Sequence, residues 1–292
     1  MKRIVVMGIL ILSLGCVGQG GIGPFVQKEV EQLFENEISP DILSLDFETH
    51  NGYIELSIWD KSSYRIEVTK WAQATTSSEA LEKAEALKVD FSETERSGEV
   101  TLTLRTELER NTGAHFRVYL PAAPLNIVSL STSNGHIQVD EITASRVVLQ
   151  TSNAHVQGSL TADAITVGTS NGTVEGVFRG ENVTIDTSNA RVDIECGEGG
   201  TYKIRTSNGR VDLNIGSRGT FDISTSNATI DITVKGDFNF DLSTSNARIT
   251  VNAGEVVYTL NTDRNKKGFT AENPEVFITA STSNGSITVT KY

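Results

Sequence analysis

The stretch Thr206–Ser224, TSNGRVDLNIGSRGTFDIS, is followed at once by Thr225-Ser226-Asn227, which begins the same phrase again. With the asparagine as marker, the phrase recurs at Asn134, Asn153, Asn171, Asn189, Asn208, Asn227, Asn246 and Asn284, and a degraded copy, Thr262-Asp263-Arg264-Asn265, lies midway between the last two. Every step is 18 or 19 residues. Three residues after the marker stands an apolar side chain, as at Val174, Val192, Val211 and Ile230, and two further on another, as at Ile194, Leu213 and Ile232. That alternation is strand periodicity. A second alternating run precedes each marker, with Ile185, Ile204, Ile223 and Leu242 four residues before it. A unit this small cannot bury its apolar side alone, whereas stacked copies share one core. The expected fold class is therefore all-β: a parallel β-solenoid (β-helix) with 18–19-residue coils, two short strands per coil, and one short helix near the N-terminal end.

Stacking places identical residues above one another. The nine markers, Asn134, Asn153, Asn171, Asn189, Asn208, Asn227, Asn246, Asn265 and Asn284, are expected to form a structural amide ladder, with Asn tolerating a left-handed corner and the Thr of each phrase pointing inward. Gly-rich turns such as Gly197-Glu198-Gly199-Gly200 join the two strands of a repeat. Glycosylation sequons begin at Asn171, Asn182, Asn227 and Asn284, yet Asn134, Asn153 and Asn208 fill the same column without one. The column is explained without sugar, and Asn182 remains the glycosylation candidate.

The chain ends of this array read differently. MKRIVVMGILILSLGC carries Lys2 and Arg3 before a short apolar run, then Gly15-Cys16, a pattern of a signal peptide over 1–15 with lipidation at Cys16. Residues 16–40 are expected to be a tether and entry segment, 41–130 a divergent N-terminal solenoid and capping region, and 131–292 the regular solenoid. Thr76-Ser77-Ser78-Glu79 fits a capping box and predicts a helix over 77–88, placed to cover an open end of the stack. Ser286–Tyr292, with Lys291 as its one gatekeeper, reads as an unprotected terminal edge and predicts end-to-end self-association.

Asn51-Gly52-Tyr53-Ile54, then Phe116-Arg117-Val118-Tyr119-Leu120-Pro121 leading into Thr132-Ser133-Asn134-Gly135-His136-Ile137, then the repeated phrase, resemble the "putative adhesin" family of prokaryotic cell-surface proteins, a domain of unknown function. The resemblance covers nearly all of the chain after about residue 40. It implies an exported, membrane-anchored lipoprotein at the cell surface that acts as a binding or scaffold module.

The residues name no chemistry beyond that. The net charge of −12 disfavours nucleic acid as a partner. Cys196 falls in an apolar register and reads as a buried thiol. His136 and His155 sit one repeat apart without a third ligand, and the carboxylate row Glu175, Asp193, Asp212 and Asp231 runs beside Arg191, Arg210 and Arg248, so neither a metal nor a cofactor is expected. No catalytic constellation is found; a carbohydrate-active β-helix enzyme would need converging carboxylates in a cleft, which coils as regular as 134–260 are not expected to form. A passive spacer or envelope-stress component is the other alternative. The irregular stretch with Asp263, Arg264, Lys266, Lys267, Glu272 and Asn273 is the expected binding loop, for an envelope glycan or protein.

Overall fold

The structure, a computed structural model, describes residues 25–292. The expected signal peptide, Cys16 and the first part of the tether lie outside the described residues. The chain is all-β with one short helix, in an open sheet of mostly parallel strands, and it divides into two compact units, one reaching to Asp140 and one starting at Glu141.

In the second unit, parallel pairing joins Val156 to Val174, Val174 to Val192, Val192 to Val211 and Val211 to Ile230, and all five side chains are fully buried. A second row runs Val183, Tyr202, Phe221. The phrase closes the corner between the two rows. Its buried Thr accepts a hydrogen bond from the N–H three residues on, as Thr169 Oγ1 does from Gly172 at 3.1 Å and Thr206 Oγ1 from Gly209 at 3.0 Å. Its Ser carbonyl receives two N–H groups of the next layer, as Ser152 does from Ser170 and Asn171. Its Asn passes an amide N–H to the Asn below: Asn171 to Asn153 at 2.9 Å, Asn189 to Asn171 at 2.9 Å, Asn208 to Asn189 at 2.7 Å and Asn227 to Asn208 at 2.6 Å. No phrase Asn is left-handed; Ser97 and Asn111 are the non-glycine residues with positive φ among those described.

Above Asn227 the stack leaves sequence order. Strands Val276–Thr282 and Ile287–Lys291 insert between the layer of Gly219–Ser224 and Ile230–Val234 and the layer of Phe238–Thr244 and Ile249–Asn252. Ile287 thus pairs with Ile230 on one side and Ile249 on the other, and the ladder runs from Asn227 to Asn284 to Asn246, with N···O distances of 2.6 and 2.7 Å. Two expectations are corrected here. The strand Ile287–Lys291 is held from both sides, so it is no terminal edge. Asn265 is not a rung, because Thr262 and Asn265 close the tight turn of an antiparallel hairpin, Val257–Asn261 with Asn265–Phe269, that covers Phe238–Thr244.

The physical reason for the insertion lies in the residue after the marker. A Cβ on Gly172 would lie 1.6 Å from the Ala154 carbonyl oxygen, one on Gly209 1.6 Å from that of Ala190, and one on Gly285 1.7 Å from that of Ala228. At these three layers the corner leaves no room for a Cβ on the residue above Ala. In stack order the column reads Ala154, Gly172, Ala190, Gly209, Ala228, Gly285, Ala247, a strict alternation.

The first unit uses the same device. Strands Ile42–Glu48 and Ile54–Trp59 lie between Glu99–Thr106 with Thr112–Pro121 on one side and Leu125–Ser131 with Ile137–Val139 on the other. Antiparallel strands Ser63–Ala74 and Val89–Arg96 then cover the outer layer, and Val26–Glu37, inside the expected tether, adds to Ser63–Ala74. The helix Ser77–Ala86 starts at Thr76, whose Oγ1 accepts from Glu79 N at 3.2 Å, and packs Ala80 and Ala84 inward. Lys70, almost fully buried, donates to the carbonyls of Glu85 and Leu87 at the other end, satisfying C-terminal acceptors that would otherwise be orphaned.

Candidate functional site

One outward column of the second unit, eight residues after each marker, reads Arg179, Gly197, Gly216, Lys235, followed in the stack by Tyr292, whose N–H donates to Val234 O at 3.1 Å. The strands beside it are in register, Phe178 with Cys196, Glu195 with Asn214 and Ile215 with Val234. Two successive layers therefore lack a side chain at this position. Gly197 admits the backbone of the layer below, since a Cβ there would lie 2.9 Å from Arg179 Cα. The result is a notch of about 580 Å³ between Arg179 and Lys235. Three layer spacings separate those residues, about 14 Å along the stack.

The floor is backbone at Cys196-Gly197 and Ile215-Gly216, with both side chains buried beneath. The walls are the exposed side chains of Arg179, Glu195, Glu198, Asn214, Lys235 and Tyr292. Arg179 stands 3.7 Å from Glu195. Glu198 Oε2 accepts from the N–H and hydroxyl of Ser217, both at 2.9 Å, and these bonds hold its carboxyl below the usual range. Under the floor, the buried Tyr202 hydroxyl accepts from Gly197 N at 2.8 Å and donates to Phe178 O at 2.9 Å, while its ring stacks on Phe221 at 4.9 Å. Burial pushes the Tyr202 phenol up to about 12. Replacing Tyr202 by Phe removes both bonds but leaves Gly197 N donating directly to Phe178 O at 3.0 Å, so the expected cost is about 0.5–1.5 kcal/mol; urea unfolding measures it, and an unchanged midpoint would contradict the pinning role.

A family model described as Toastrack DUF4097 matches residues 42–290. The chain belongs to this Toastrack family. Similar solved structures include a "putative cell adhesion protein" from Clostridium sporogenes, 11% identical with a TM-score of 0.33, covering 90% of this chain and 100% of that one. A "putative adhesin" from Bacteroides fragilis is 11% identical with a TM-score of 0.38, covering 89% and 96%. A further one from Parabacteroides distasonis is 9% identical with a TM-score of 0.30, covering 93% and 98%. No curated protein matches the sequence. The Toastrack match points to a non-enzymatic protein, and the ionised, doubly bonded Glu198 is unsuited to proton donation. No helix among the described residues is long and apolar enough to cross a membrane.

Elsewhere in the Toastrack domain, the expected binding-loop residues do not converge. Lys266 lies over the Tyr258 ring on the core side of the hairpin, whereas Lys267 pairs with Asp241 on the outer side at 2.8 Å. Asp263 and Arg264 form the hairpin tip, and Glu272 and Asn273 stand exposed on the return to Val276. The carboxylate row is occupied by its neighbours: Asp212 meets both Arg191 and Arg210, at 2.8 and 2.9 Å, and Asp231 meets Arg210 at 3.1 Å. Among the described residues no cluster of three or more His, Cys, Asp or Glu side chains could hold a metal ion. Cys196 is buried, and burial raises its thiol pKa.

In the first unit, Trp71, His115, Tyr53 and His136 stack in a column, with centroids 6.5, 4.1 and 5.0 Å apart. The stacking covers the ring faces between neighbours and leaves edges, which suits strand-to-strand cohesion more than ligand stacking. His115 Nδ1 accepts from Tyr53 N at 3.2 Å, which requires the neutral ring, and burial lowers its pKa below the ordinary 6.5. The unfolded chain therefore takes up this proton first. The contribution to stability is complete above about pH 6.5 and is lost as pH falls through that value toward the folded pKa. The urea midpoint is expected to drop between about pH 7.5 and 5.5 by more in the native chain than in His115→Asn; equal slopes would exclude His115 as the source.

The notch was missed in the sequence, although an aligned column at eight residues past the marker shows Gly197 and Gly216 between Arg179 and Lys235. Its significance depends on knowing that this column faces outward.

Proposed function

We propose that this Toastrack chain is an exported cell-surface binding module of adhesin type, held at the membrane through a lipid on Cys16, and that its ligand docks in the notch between Arg179 and Lys235. The notch carries the reading. It is a concave site on the outward surface of the repeat, and its volume falls in the range of small-ligand pockets. The solenoid of 18–19-residue coils, two short strands to a coil, acts as the rigid scaffold that spaces the wall residues. The lipid would tether the module, and the export signal Met1–Gly15 would deliver it. A passive spacer needs no such recess.

The test is co-sedimentation of residues 17–292, which keep every described strand and the helix, with native cell-envelope fractions. The Arg179→Ala/Lys235→Ala variant is expected to lose saturable binding that a Lys267→Ala variant on the hairpin retains. Equal binding by both variants would move the site elsewhere, and no binding by the native protein would leave the spacer.

A further inference from the structure

The walls of the notch restrict the chemistry of its occupant. Two cations, Arg179 and Lys235, are matched by two carboxylates, Glu195 and Glu198, and Asn214 adds an amide with both donors and an acceptor. The charges of these four side chains sum to zero. A strongly anionic ligand would meet Glu195 and Glu198, and a cationic one would meet Arg179 and Lys235, so neither gains from the site as a whole. A purely apolar ligand would bury charged groups without partners, which is costly.

What fits alternating donors and acceptors is a neutral ligand whose every polar group both donates and accepts, and hydroxyl groups do that. Between the walls the two glycines bring no side chain of their own, and the Glu198 carboxylate lies over Gly216, 2.6 Å from where a Cβ would stand, so an occupant of the recess lies directly against this acceptor. Tyr292, 70% exposed, stands at the Lys235 end of the column and offers a ring against which an apolar ring face can lie. Outside the notch, the neighbouring charged face is tied up by shorter ion pairs through Arg191, Arg210, Asp212 and Asp231, at 2.8–3.1 Å against 3.7 Å for Arg179 and Glu195 within it.

From these features we infer that the notch binds a neutral saccharide: a pyranose segment lying in the recess between Arg179 and Lys235, its hydroxyls bridging those two cations along the stack and accepted by Glu195 and by Glu198, which lies over Gly216. This inference rests on the binding-module reading and sharpens it. A protein segment is disfavoured because interface centres are depleted of charged residues, whereas every wall of this notch but one carries charge or an amide.

The experiment is affinity electrophoresis of residues 17–292 through gels containing one neutral polysaccharide each (a β-glucan, a mannan, a xylan, a galactan) or one acidic polysaccharide (polygalacturonate, alginate). Titration with oligosaccharides of any retarding polymer follows. The comparison protein is Arg179→Ala/Asn214→Ala/Lys235→Ala, three exposed side chains whose removal leaves the core intact; its urea midpoint is measured alongside. Retardation by at least one neutral polymer, weakened at least about tenfold in the triple variant with an unchanged midpoint, is the expected result. Retardation by acidic polymers alone, equal retardation of both proteins, or none by any neutral polymer overturns the inference. Envelope binding distinguishes the two levels: if the triple variant loses envelope binding while no neutral polysaccharide retards the native protein, the saccharide assignment fails and the binding module stands. Notch-dependent dimerisation in sedimentation velocity, without saccharide binding, would also overturn it and assign the notch to a second copy.

Discussion

Gly285→Ala is expected to destabilise the second unit by more than about 3 kcal/mol, in the range of severe overpacking, whereas Ala228→Gly one layer away should cost no more than about 1 kcal/mol. The asymmetry is geometric. The added Cβ would lie 1.7 Å from the Ala228 carbonyl oxygen and 2.2 Å from its carbonyl carbon, which are backbone atoms fixed by the pairing of Ile230 with Ile287. No rotamer relieves such a collision, so a layer must move, and the Asn284 rung with bonds of 2.6 and 2.7 Å moves with it. Gly209→Ala should behave alike, since its Cβ would lie 1.6 Å from Ala190 O. Urea unfolding of residues 17–292 measures both. Midpoints within error of the native protein would show that the corner can relax and that the Ala–Gly alternation has no steric cause.

Removing residues 275–292 is expected to abolish cooperative unfolding of the second unit. The deletion takes away Val276, Ile278, Ile287 and Val289, all buried, each contributing about 1.5–3 kcal/mol on burial. That sum is comparable to the whole stability of a typical domain. It also opens a gap inside the stack rather than trimming an end: Gly219–Ser224 and Ile230–Val234 would face Phe238–Thr244 and Ile249–Asn252 across a missing layer. Direct closure of the gap would set Ala247 upon Ala228, where the corner leaves no room for a Cβ. The truncated chain should therefore show exposed apolar surface by dye binding and aggregate, and a synthetic peptide of residues 275–292 should restore the transition by strand insertion. A soluble truncated chain with an unchanged midpoint would mean that the gap closes after all.

The two predictions differ in what they probe. The glycine substitution tests the local rule of the corner, and the deletion tests the topology that follows from it. If the first holds and the second fails, Ala can stack on Ala when the layers are free to shift.

Much of this architecture was legible before any coordinates. The period, the two apolar rows, the inward Thr and the rungs from Asn153 to Asn227 follow from side-chain alternation and from the stacking of like on like, both local and repeated properties of the chain. The start of the helix at Thr76 was legible for the same reason, since a capping box is a four-residue signal. Spacing alone does not distinguish Asn265 from a rung; the residue after it, Lys266, is neither Gly nor Ala, and that departure marks the hairpin. The consecutive Ala228 and Ala247 were a second signal that something must come between them, but it becomes readable only once the 1.6–1.7 Å approach at the corner is known.

What the sequence determined by itself is the repeating layer: its buried faces and its phrase-bearing corner. Tertiary structure alone decided the order in which layers stack, because parallel pairing between equivalent strands does not distinguish one repeat from another by hydrogen bonding. Steric exclusion at a single carbonyl does, and it acts between residues 57 positions apart, Ala228 and Gly285, as surely as between neighbours in the chain. The same holds for the notch: Arg179, Gly197, Gly216 and Lys235 are spaced by the repeat, but only the outward turn of their column, and the arrival of Tyr292 beside Lys235 through the inserted strand, makes them walls and floor of one recess.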